Sequence, residues 1–451
     1  MEDAMLTAYR LVAAAAVSPG RPRGASRSAG AAALMVTLLV AGTMLGEASA
    51  VVGSIPNPER APVAKIGRGD SPAVVADPAG TLTVVWQNRR HAIMTARQRV
   101  GHEWTKPVRI GTGEGPQVVT DRAGNVTAAW YSERQGSTIG VAAAHRRLGG
   151  HWSRARMIGK QLPAAGYDPW AGDSGRYGAQ DLQLEGSPGG AVIAAWSWGS
   201  YDDQAPFRIQ AAYRPAGQRW LPARSITREA WYEFGFAVGI DAAGNVDLAY
   251  DRGAGGKARQ RVVGQGWTGP KALPITGVAD VAVGAGGSAV VLSVGRRTRR
   301  VVAVHRPLLG HWGPARTVAR ERMRDQAWTI RAVVGGAGTV TVTWTSRNAD
   351  VRAATRPGGG RWQPPVQLAP AGAVSIEARA ILVANQRGDV VATWPGSQAA
   401  MGRYRPAGHR WGPTERLAPR VSGICLQANG DVVVTWVGRG GYVKVRRVIE
   451  P

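Results

Sequence analysis

A glycine recurs eight times along this chain, each time six residues before an aromatic residue or its substitute. The chain has 451 residues, and successive glycines of this set are 42 to 66 residues apart. A fixed register of this kind indicates one structural unit repeated along the chain rather than several unrelated domains. The glycines are Gly80, Gly124, Gly190, Gly244, Gly287, Gly338, Gly388 and Gly430, and the positions six residues later are Trp86, Trp130, Trp196, Tyr250, Ser293, Trp344, Trp394 and Trp436.

The residues around each glycine predict a tight turn between two strands. A polar residue such as Asp121 or Asn385 stands three residues earlier in most copies. We expect its side chain to bond the backbone two residues on, while the glycine supplies a positive φ. The flanking segments are apolar or alternating, as in 118–119 and 126–130, which is typical of buried strands. A calcium loop is not predicted, because no copy has the D-x-D-x-D spacing of oxygen ligands.

A second tryptophan follows the first aromatic position by 17 to 24 residues in seven copies, after a strand that usually ends in Arg. Each copy then reads as four short strands, and four strands in about 50 residues is the size of one propeller blade. The eighth copy has three strands, and residues 61–67 resemble the missing fourth strand by their match to 106–111. We therefore predict an all-β fold, a single closed β-propeller of eight four-stranded blades in which the N- and C-terminal strands share one blade. The fifth copy, with Ser293 in place of the aromatic, leaves seven blades as the alternative.

The repeat pattern resembles that of secreted bacterial β-propeller repeat proteins, loosely those with sialidase-type repeats, over roughly residues 60–449. The resemblance implies a propeller fold and an extracellular location. The sialidase Asp-box S-x-D-x-G-x-T-W is not matched, because the turn here is D-x-x-G without a following Thr-Trp. No catalytic residue of that family is therefore transferred to this chain.

The first 50 residues predict an export signal. Three arginines (Arg21, Arg23 and Arg27) precede an apolar run from 31 to 45, and Ala48-Ser-Ala50 fits a small-residue cleavage site. We expect residues 1–50 to be a signal peptide with an extended leader, 51–60 a short linker and 61–451 the propeller. The mature chain is then expected to be a secreted or cell-envelope protein without a transmembrane span.

The charge of the chain is strongly basic, with 56 Lys and Arg against 30 Asp and Glu and a net charge of +26. Such a charge attracts anionic cell-envelope polymers and acidic polysaccharides. The basic residues are spread along the chain without a run of five, so a solvated surface is the simpler interpretation and specific nucleic-acid binding is not predicted. Zinc-type ligand spacing and phosphate loops are both missing, so we assign no cofactor, no metal and no catalytic residue. We expect a monomer, and we interpret the single cysteine, Cys425, as a buried residue of a first strand.

Strand order predicts where loops of variable length gather. In an up-and-down blade, the second-to-third loops and the connections to the next blade lie on one face, opposite the tight turns. Three long, aromatic and acidic segments belong to that face: 159–178, 197–208 and 227–234. The candidate ligand-binding residues on them are Tyr167, Asp168, Trp170, Asp173, Trp198, Tyr201, Asp202, Asp203, Trp231, Tyr232 and Glu233.

Three functions remain open at this point. Aromatic faces and carboxylates suit a non-enzymatic site for carbohydrate or a protein partner. The same carboxylates would also suit a glycan-cleaving glycosidase or lyase, since glycoside hydrolysis uses a pair of them. A structural protein of the cell envelope would need only the basic surface. The alternative to a binding or catalytic cleft is that the long loops cover themselves with their own aromatic residues. Arg331 and Arg379 fall in predicted first strands and are candidates for the lining of a central channel.

Overall fold

The computed structural model describes residues 62–134, 137–160, 177–200, 208–227, 235–252, 255–295, 298–308, 310–321, 323, 329–375 and 378–448. These residues form eight antiparallel sheets in which strands that follow each other in the chain pair side by side. The exceptions to this order are the sheet that joins the two ends of the chain and one sheet whose outer edge is made of two short strands. The eight sheets are the blades of a β-propeller.

The first four blades follow one another after an opening strand, β1 (Val63–Arg68). Blade one contains β2 (Asp70–Ala76), β3 (Leu82–Gln87), β4 (Ala92–Gln98) and β5 (Val108–Thr112). Blade two contains β6 (Glu114–Thr120), β7 (Val126–Arg134), β8 (Ser137–Arg146) and β9 (Arg156–Lys160). Blade three contains β10 (Tyr177–Gly186), β11 (Val192–Ser200), β12 (Arg208–Arg214) and β13 (Arg224–Ser225). Blade four contains β14 (Phe236–Ile240), β15 (Val246–Arg252), β16 (Gly255–Val262) and an outer edge in two pieces, β17 (Gly266–Trp267) and β18 (Lys271–Ala272), both paired with β16.

The other four blades have the same design. Blade five contains β19 (Asp280–Val283), β20 (Ala289–Val294), β21 (Val301–Arg306) and β22 (Arg316–Thr317). Blade six contains β23 (Arg331–Val334), β24 (Val340–Thr345), β25 (Val351–Arg356) and β26 (Val366–Gln367). Blade seven contains β27 (Ile381–Ala384), β28 (Val390–Pro395), β29 (Ala400–Arg405) and β30 (Glu415–Ala418). Blade eight contains β31 (Gly423–Leu426), β32 (Val432–Gly438) and β33 (Tyr442–Val448), with a 3₁₀ turn at Arg439–Gly441, and takes β1 as its fourth strand.

The first strands of the blades line the centre of the ring. Each contacts the first strand of the next blade, and β31 of blade eight contacts β2 of blade one, which completes the circle. The ring is therefore closed and surrounds a central channel. The predicted eight-bladed fold is confirmed, and the seven-bladed alternative is wrong.

The fifth blade forms although Ser293 replaces the aromatic residue. In blades one and two, the indole Nε1 of Trp86 and Trp130 donates to a backbone carbonyl 18 residues earlier, at Arg68 and Thr112. The Ser293 hydroxyl donates to the carbonyl of Thr276, 17 residues earlier, at 2.8 Å, and is fully buried. The serine thus keeps the hydrogen bond of the repeat while giving up its aromatic packing.

The shared blade is also confirmed. Strand β1 pairs antiparallel with β33, from Val63 opposite Arg446 to Arg68 opposite Tyr442. Closing the ring with one strand from each end of the chain leaves no exposed sheet edge between the first and last blades.

The turns differ from the sequence expectation in one detail. The turn glycines do have positive φ, for example 75° at Gly124. The Asp121 carboxylate, however, accepts from the amide of Asn125, four residues on, at 2.9 Å. The expected bond two residues on was wrong, because the Asp121 carbonyl already accepts from Gly124 in a three-residue loop. A type I turn followed by a left-handed glycine is the usual form of such a loop.

Neighbouring blades are joined by a tryptophan packed on a glycine. Trp86, Trp130 and Trp196 on the second strands are at most 1% exposed. Each ring lies against a glycine at the end of the preceding blade's fourth strand, so that a Cβ built on Gly111 would lie 2.2 Å from Cζ2 of Trp130. Gly67 and Gly159 lie equally close to Trp86 and Trp196. These tryptophans are therefore packing residues between the sheets of neighbouring blades.

Candidate functional site

The face that carries the blade-to-blade connections was predicted to hold the binding loops. On the described strands, β9 ends at Lys160 and β10 begins at Tyr177, while β11 ends at Ser200 and β12 begins at Arg208. The third segment lies between Thr227 and β14. The strands that flank the three segments end and begin at the same end of blades two, three and four, so the segments belong to one face. We call this the connection face; the opposite side, with the D-x-x-G turns, is the turn face.

Ten of the eleven candidate ligand-binding residues lie outside the described residues: Tyr167, Asp168, Trp170, Asp173, Tyr201, Asp202, Asp203, Trp231, Tyr232 and Glu233. Their role therefore stays a prediction. The eleventh, Trp198, is described. It lies near the end of β11, paired with Ala179 and Arg208, and is half-buried against the core of blade three. Part of its ring is thus used in packing.

The wall of the central channel carries polar groups that the sequence reasoning did not single out. Counting back from the turn glycine, the seventh position in the eight blades is Ala73, Gln117, Gln183, Ala237, Asp280, Arg331, Ile381 and Gly423. In three blades the side chain at this position bridges to the first strand of the next blade. Gln183 donates to the Phe236 carbonyl at 2.8 Å and accepts from the Val238 amide at 3.1 Å.

Two of these bridges use different side chains at the same position, the amide of Gln117 in blade two and the carboxylate of Asp280 in blade five. Gln117 makes the same pair of bonds to Leu182 and Leu184. Asp280 accepts from the Ala332 amide at 2.8 Å, and the neighbouring carbonyl of Ile330 accepts instead from Arg331. The Arg331 guanidinium lies 4.0 Å from Asp280. This position could have been recognised in the sequence as the place where polar residues interrupt the apolar first strands.

Charges from four blades meet in the channel. Arg379, two residues before β27, interacts electrostatically with Asp280 of blade five and Asp181 of blade three, so it faces the centre of the ring. Asp181 has a left-handed φ of 51° at a bulge of β10 and accepts from the Ser197 hydroxyl at 3.0 Å. The expectation that Arg331 and Arg379 approach the channel therefore agrees with their contacts.

Two carboxyl groups in the channel hold their protons unusually tightly. Desolvation raises the pKa of Asp280 to about 7, and the backbone amides of Ala332 and Val281 and the charge of Arg379 only partly oppose this rise. Desolvation likewise raises the pKa of Glu185 to about 7, with repulsion from Asp280 adding to it. Near neutral pH these groups can therefore give or take a proton.

A buried arginine recurs between blades and explains the strands that end in Arg. The guanidinium of Arg214 donates to the Thr127 hydroxyl of the preceding blade at 2.9 Å, and Arg405 donates to Thr341 at 2.7 Å. Between blades four and five the acceptor is a carboxylate, Asp247, which lies 2.5 Å from Arg306. The acceptor stands three residues after the turn glycine, and the arginine six residues before the second tryptophan. Reading those two positions together in the sequence would have revealed the pairs.

Cys425 lies in β31, as predicted, and packs against the core between blades eight and one. Burial raises the pKa of its thiol to about 12, so it is neutral at physiological pH. Among the described residues, Asp, Glu, His and Cys side chains do not gather in groups of three that would hold a metal ion. Nor does the described part of the chain contain a helix long and apolar enough to cross a membrane.

The chain matches no protein-family model and no curated protein sequence. Its fold is similar to that of the BP39L lectin from Burkholderia pseudomallei, with a TM-score of 0.54 and 12% identity over 78% of this chain and 100% of the lectin. A catalytically inactive virginiamycin B lyase from Staphylococcus aureus is 8% identical, with a TM-score of 0.42 over 86% of this chain and 99% of the lyase. A Hadza microbial sialidase, Hz136, is 14% identical, with a TM-score of 0.38 over 76% of this chain and 74% of the sialidase.

These similarities concern the fold alone, because all the identities are low. The resemblance to propeller proteins is confirmed at the level of the fold, by the ring of eight blades and by the similarity to the BP39L lectin. Its narrower part, that the chain is a secreted bacterial repeat protein, stays a prediction.

Proposed function

We propose that this protein is an exported, non-enzymatic β-propeller that binds carbohydrate through the connection face of blades two to four. The observation that carries the proposal is that the described strand ends flanking the three long segments lie at one end of three adjacent blades. Residues 159–236 hold eight acidic and seven basic residues in a chain that is otherwise strongly basic. Aromatic rings stack on sugar rings, and carboxylates accept their hydroxyl groups. The lectin with the same fold supports this choice over a peptide ligand.

A glycan array probed with the parent protein and two loop variants tests the proposal. Trp170→Ala and Trp231→Ala should each weaken glycan binding at least about tenfold, because each removes a stacking surface. Trp220→Ala is the matched control, since Trp220 lies in the third-to-fourth turn of the same region, on the turn face. Equal binding by all four proteins would refute the proposal, and binding to a peptide array instead of glycans would point to a protein partner.

Glycan cleavage is the second candidate, and one channel carboxyl group favours it. Asp280 accepts from the Ala332 amide at 2.8 Å, and desolvation raises its pKa to about 7, which suits a general acid at neutral pH. Hydrolysis of chromogenic glycosides by the parent, lost in Asp280→Asn or in Asp→Asn variants at positions 168, 202 and 203, would establish an enzyme. Inactivity of the parent on every glycoside tested would leave binding as the function.

A further inference from the structure

A groove runs between blades one and two, outside the central channel. Lys106 and Arg109 belong to its wall on blade one, and Trp152 and Arg154 to its wall on blade two. One part has a volume of about 340 Å³ and the next a volume of about 660 Å³. The two parts share Arg109, Ile110 and Trp152, so they adjoin each other along these side chains, and we call them together the groove.

The groove is strongly basic. All of its lining residues are described, and Asp and Glu are missing from them. A polyanion lying in the groove would therefore meet positive charge along its whole length. The basic side chains, apart from His151, are Arg97, Lys106, Arg109, Arg146, Arg154 and Arg156.

The base of the groove holds a buried guanidinium with few partners. Arg146 is 4% exposed, and its guanidinium donates to the Thr83 hydroxyl at a long distance of 3.5 Å. Its Nε has no hydrogen-bond partner among the described residues. Desolvation lowers the pKa of Arg146, repulsion by Arg97 adds to this, and attraction by Asp77 opposes it. An anion that reaches a buried cation in this state stabilises it, because it replaces the hydration that burial has removed.

Another interface of the same ring shows which anion such an arginine takes. Thr83 and Asp247 both stand three residues after their turn glycines, and Arg146 and Arg306 both stand six residues before their turn tryptophans. Between blades four and five, the carboxylate of Asp247 forms an ion pair with the guanidinium of Arg306 at 2.5 Å. Between blades one and two, the group at that position is the Thr83 hydroxyl, as Thr127 and Thr341 are at two other interfaces, and here a groove lies beside it.

We propose that the groove between blades one and two binds an acidic polysaccharide, with a carboxylate or sulfate of one sugar seated on the guanidinium of Arg146. The half-buried ring of Trp152 borders both parts of the groove and gives an apolar surface for a sugar ring. Lys106 and Arg154, exposed on opposite walls, contact further anionic groups along the polymer. This site uses other blades than the connection face and does not rest on the function proposed above.

The depth of Arg146 favours a polysaccharide over nucleic acid. A guanidinium that is 4% exposed between two sheets accepts a group that projects from a ring, such as a uronate carboxylate or a sulfate ester. The phosphates of a duplex are held at the edge of a wide, stiff helix and meet exposed lysines and arginines rather than a cleft floor. Single-stranded DNA is therefore included in the test as the competing polyanion.

The experiment measures binding of the full chain to four polymers at about 0.15 M salt, where diffuse attraction is screened within roughly 8 Å. The polymers are polygalacturonate, dextran sulfate, neutral dextran and single-stranded DNA. Lys106→Gln/Arg154→Gln removes one charge from each wall. Arg361→Gln/Arg410→Gln is the matched control, because it removes the same net charge from exposed turns of blades six and seven.

We expect the wall variant to weaken binding of polygalacturonate or dextran sulfate about tenfold, and the control to change it less than about twofold. Whichever of the two polymers binds more tightly identifies the anionic group. Arg146→Lys keeps the charge but loses the planar guanidinium that can donate two parallel hydrogen bonds, so it should also weaken binding. The melting temperature of this variant is measured to confirm that it folds. Equal losses in the wall and control variants would overturn the proposal, as would equal affinity for neutral dextran. Tighter binding of single-stranded DNA would assign the groove to nucleic acid instead.

Discussion

The contact between a tryptophan and a glycine is the smallest unit that holds adjacent blades together. Trp130 is fully buried, and its indole N–H donates to Thr112 at 2.9 Å while its ring covers Gly111. A large aromatic ring fills the wedge between two twisted sheets, and the glycine lets it approach the backbone directly. The fixed spacing of glycines and tryptophans in the sequence therefore results from the packing between blades.

Gly111→Ala should destabilise the protein by about 1–3 kcal/mol, because the new methyl group would overlap the Trp130 ring. Urea unfolding followed by tryptophan fluorescence measures the change. Gly269→Ala is the control, since nothing lies within 4 Å of a Cβ at that exposed position. We expect the control to differ from the parent by less than about 1 kcal/mol. Similar unfolding of both variants would contradict the packing role of Gly111.

At the scale of elements, one strand decides whether the ring closes. Strand β1 covers β33, and Ile66 is buried with Val443, Val445 and Trp86 in the core between blades eight and one. Its backbone pairs with the last strand of the chain, about 380 positions away in sequence. Such a pairing has a high entropic cost until the intervening blades are in place, so closure depends on the whole ring.

A chain that begins at residue 69 should be less stable than one that begins at residue 62 by at least about 3 kcal/mol. It loses the burial of Ile66 and exposes the edge of β33. Thermal unfolding of the two truncated proteins compares them directly, and failure of only the shorter protein to stay soluble would also agree. Equal melting temperatures would show that β1 does not close the ring.

At the scale of the whole molecule, the central channel assembles charges that no single blade contains. Asp280 lies 4.0 Å from the guanidinium of Arg331 in the next blade. It is also attracted electrostatically by Arg379 and repelled by Glu185 of blade three. Its carboxyl pKa is raised to about 7, well above the value of about 4 in an unfolded chain. Between pH 4 and 7 the carboxyl group of Asp280 is therefore protonated in the folded protein and ionised in the unfolded chain. This contribution to stability is complete below about pH 4 and is lost as the pH rises through 7.

Asp280→Asn should flatten the pH dependence of the free energy of unfolding between pH 4 and 7, by up to roughly 4 kcal/mol across that range. An asparagine keeps an acceptor for the Ala332 amide and offers a donor to the Ile330 carbonyl, as Gln183 does in its own bridge. Urea unfolding at several pH values gives the slope. Glu103→Gln, on an exposed turn, is the control and should keep the slope of the parent. A slope unchanged by Asp280→Asn would show that this carboxyl group titrates normally.

Much of the fold was predictable because its signals are local. The turn at Gly124, the apolar strands beside it and the strand at 61–67 each depend on residues close in sequence, and all agree with the structure. The hydrogen-bond partner of Asp121 was misjudged, because loop length rather than residue type selects that bond. Of the candidate site, the sequence predicted the face, while Trp198 alone among the named side chains is described, and it is partly used in packing.

The sequence by itself determined the repeated blade, the number of copies and the strand that the two ends of the chain share. Each of these follows from turn geometry and strand periodicity, which act over a few residues. The tertiary structure alone decided that Asp280, Glu185 and Arg379 face one another, and that Arg146 lies at the base of a basic groove without a carboxylate. Asp280, Glu185 and Arg379 are 95 to 194 positions apart in the chain. Only closure of the ring fixes the distances between them, and charge interactions depend on those distances.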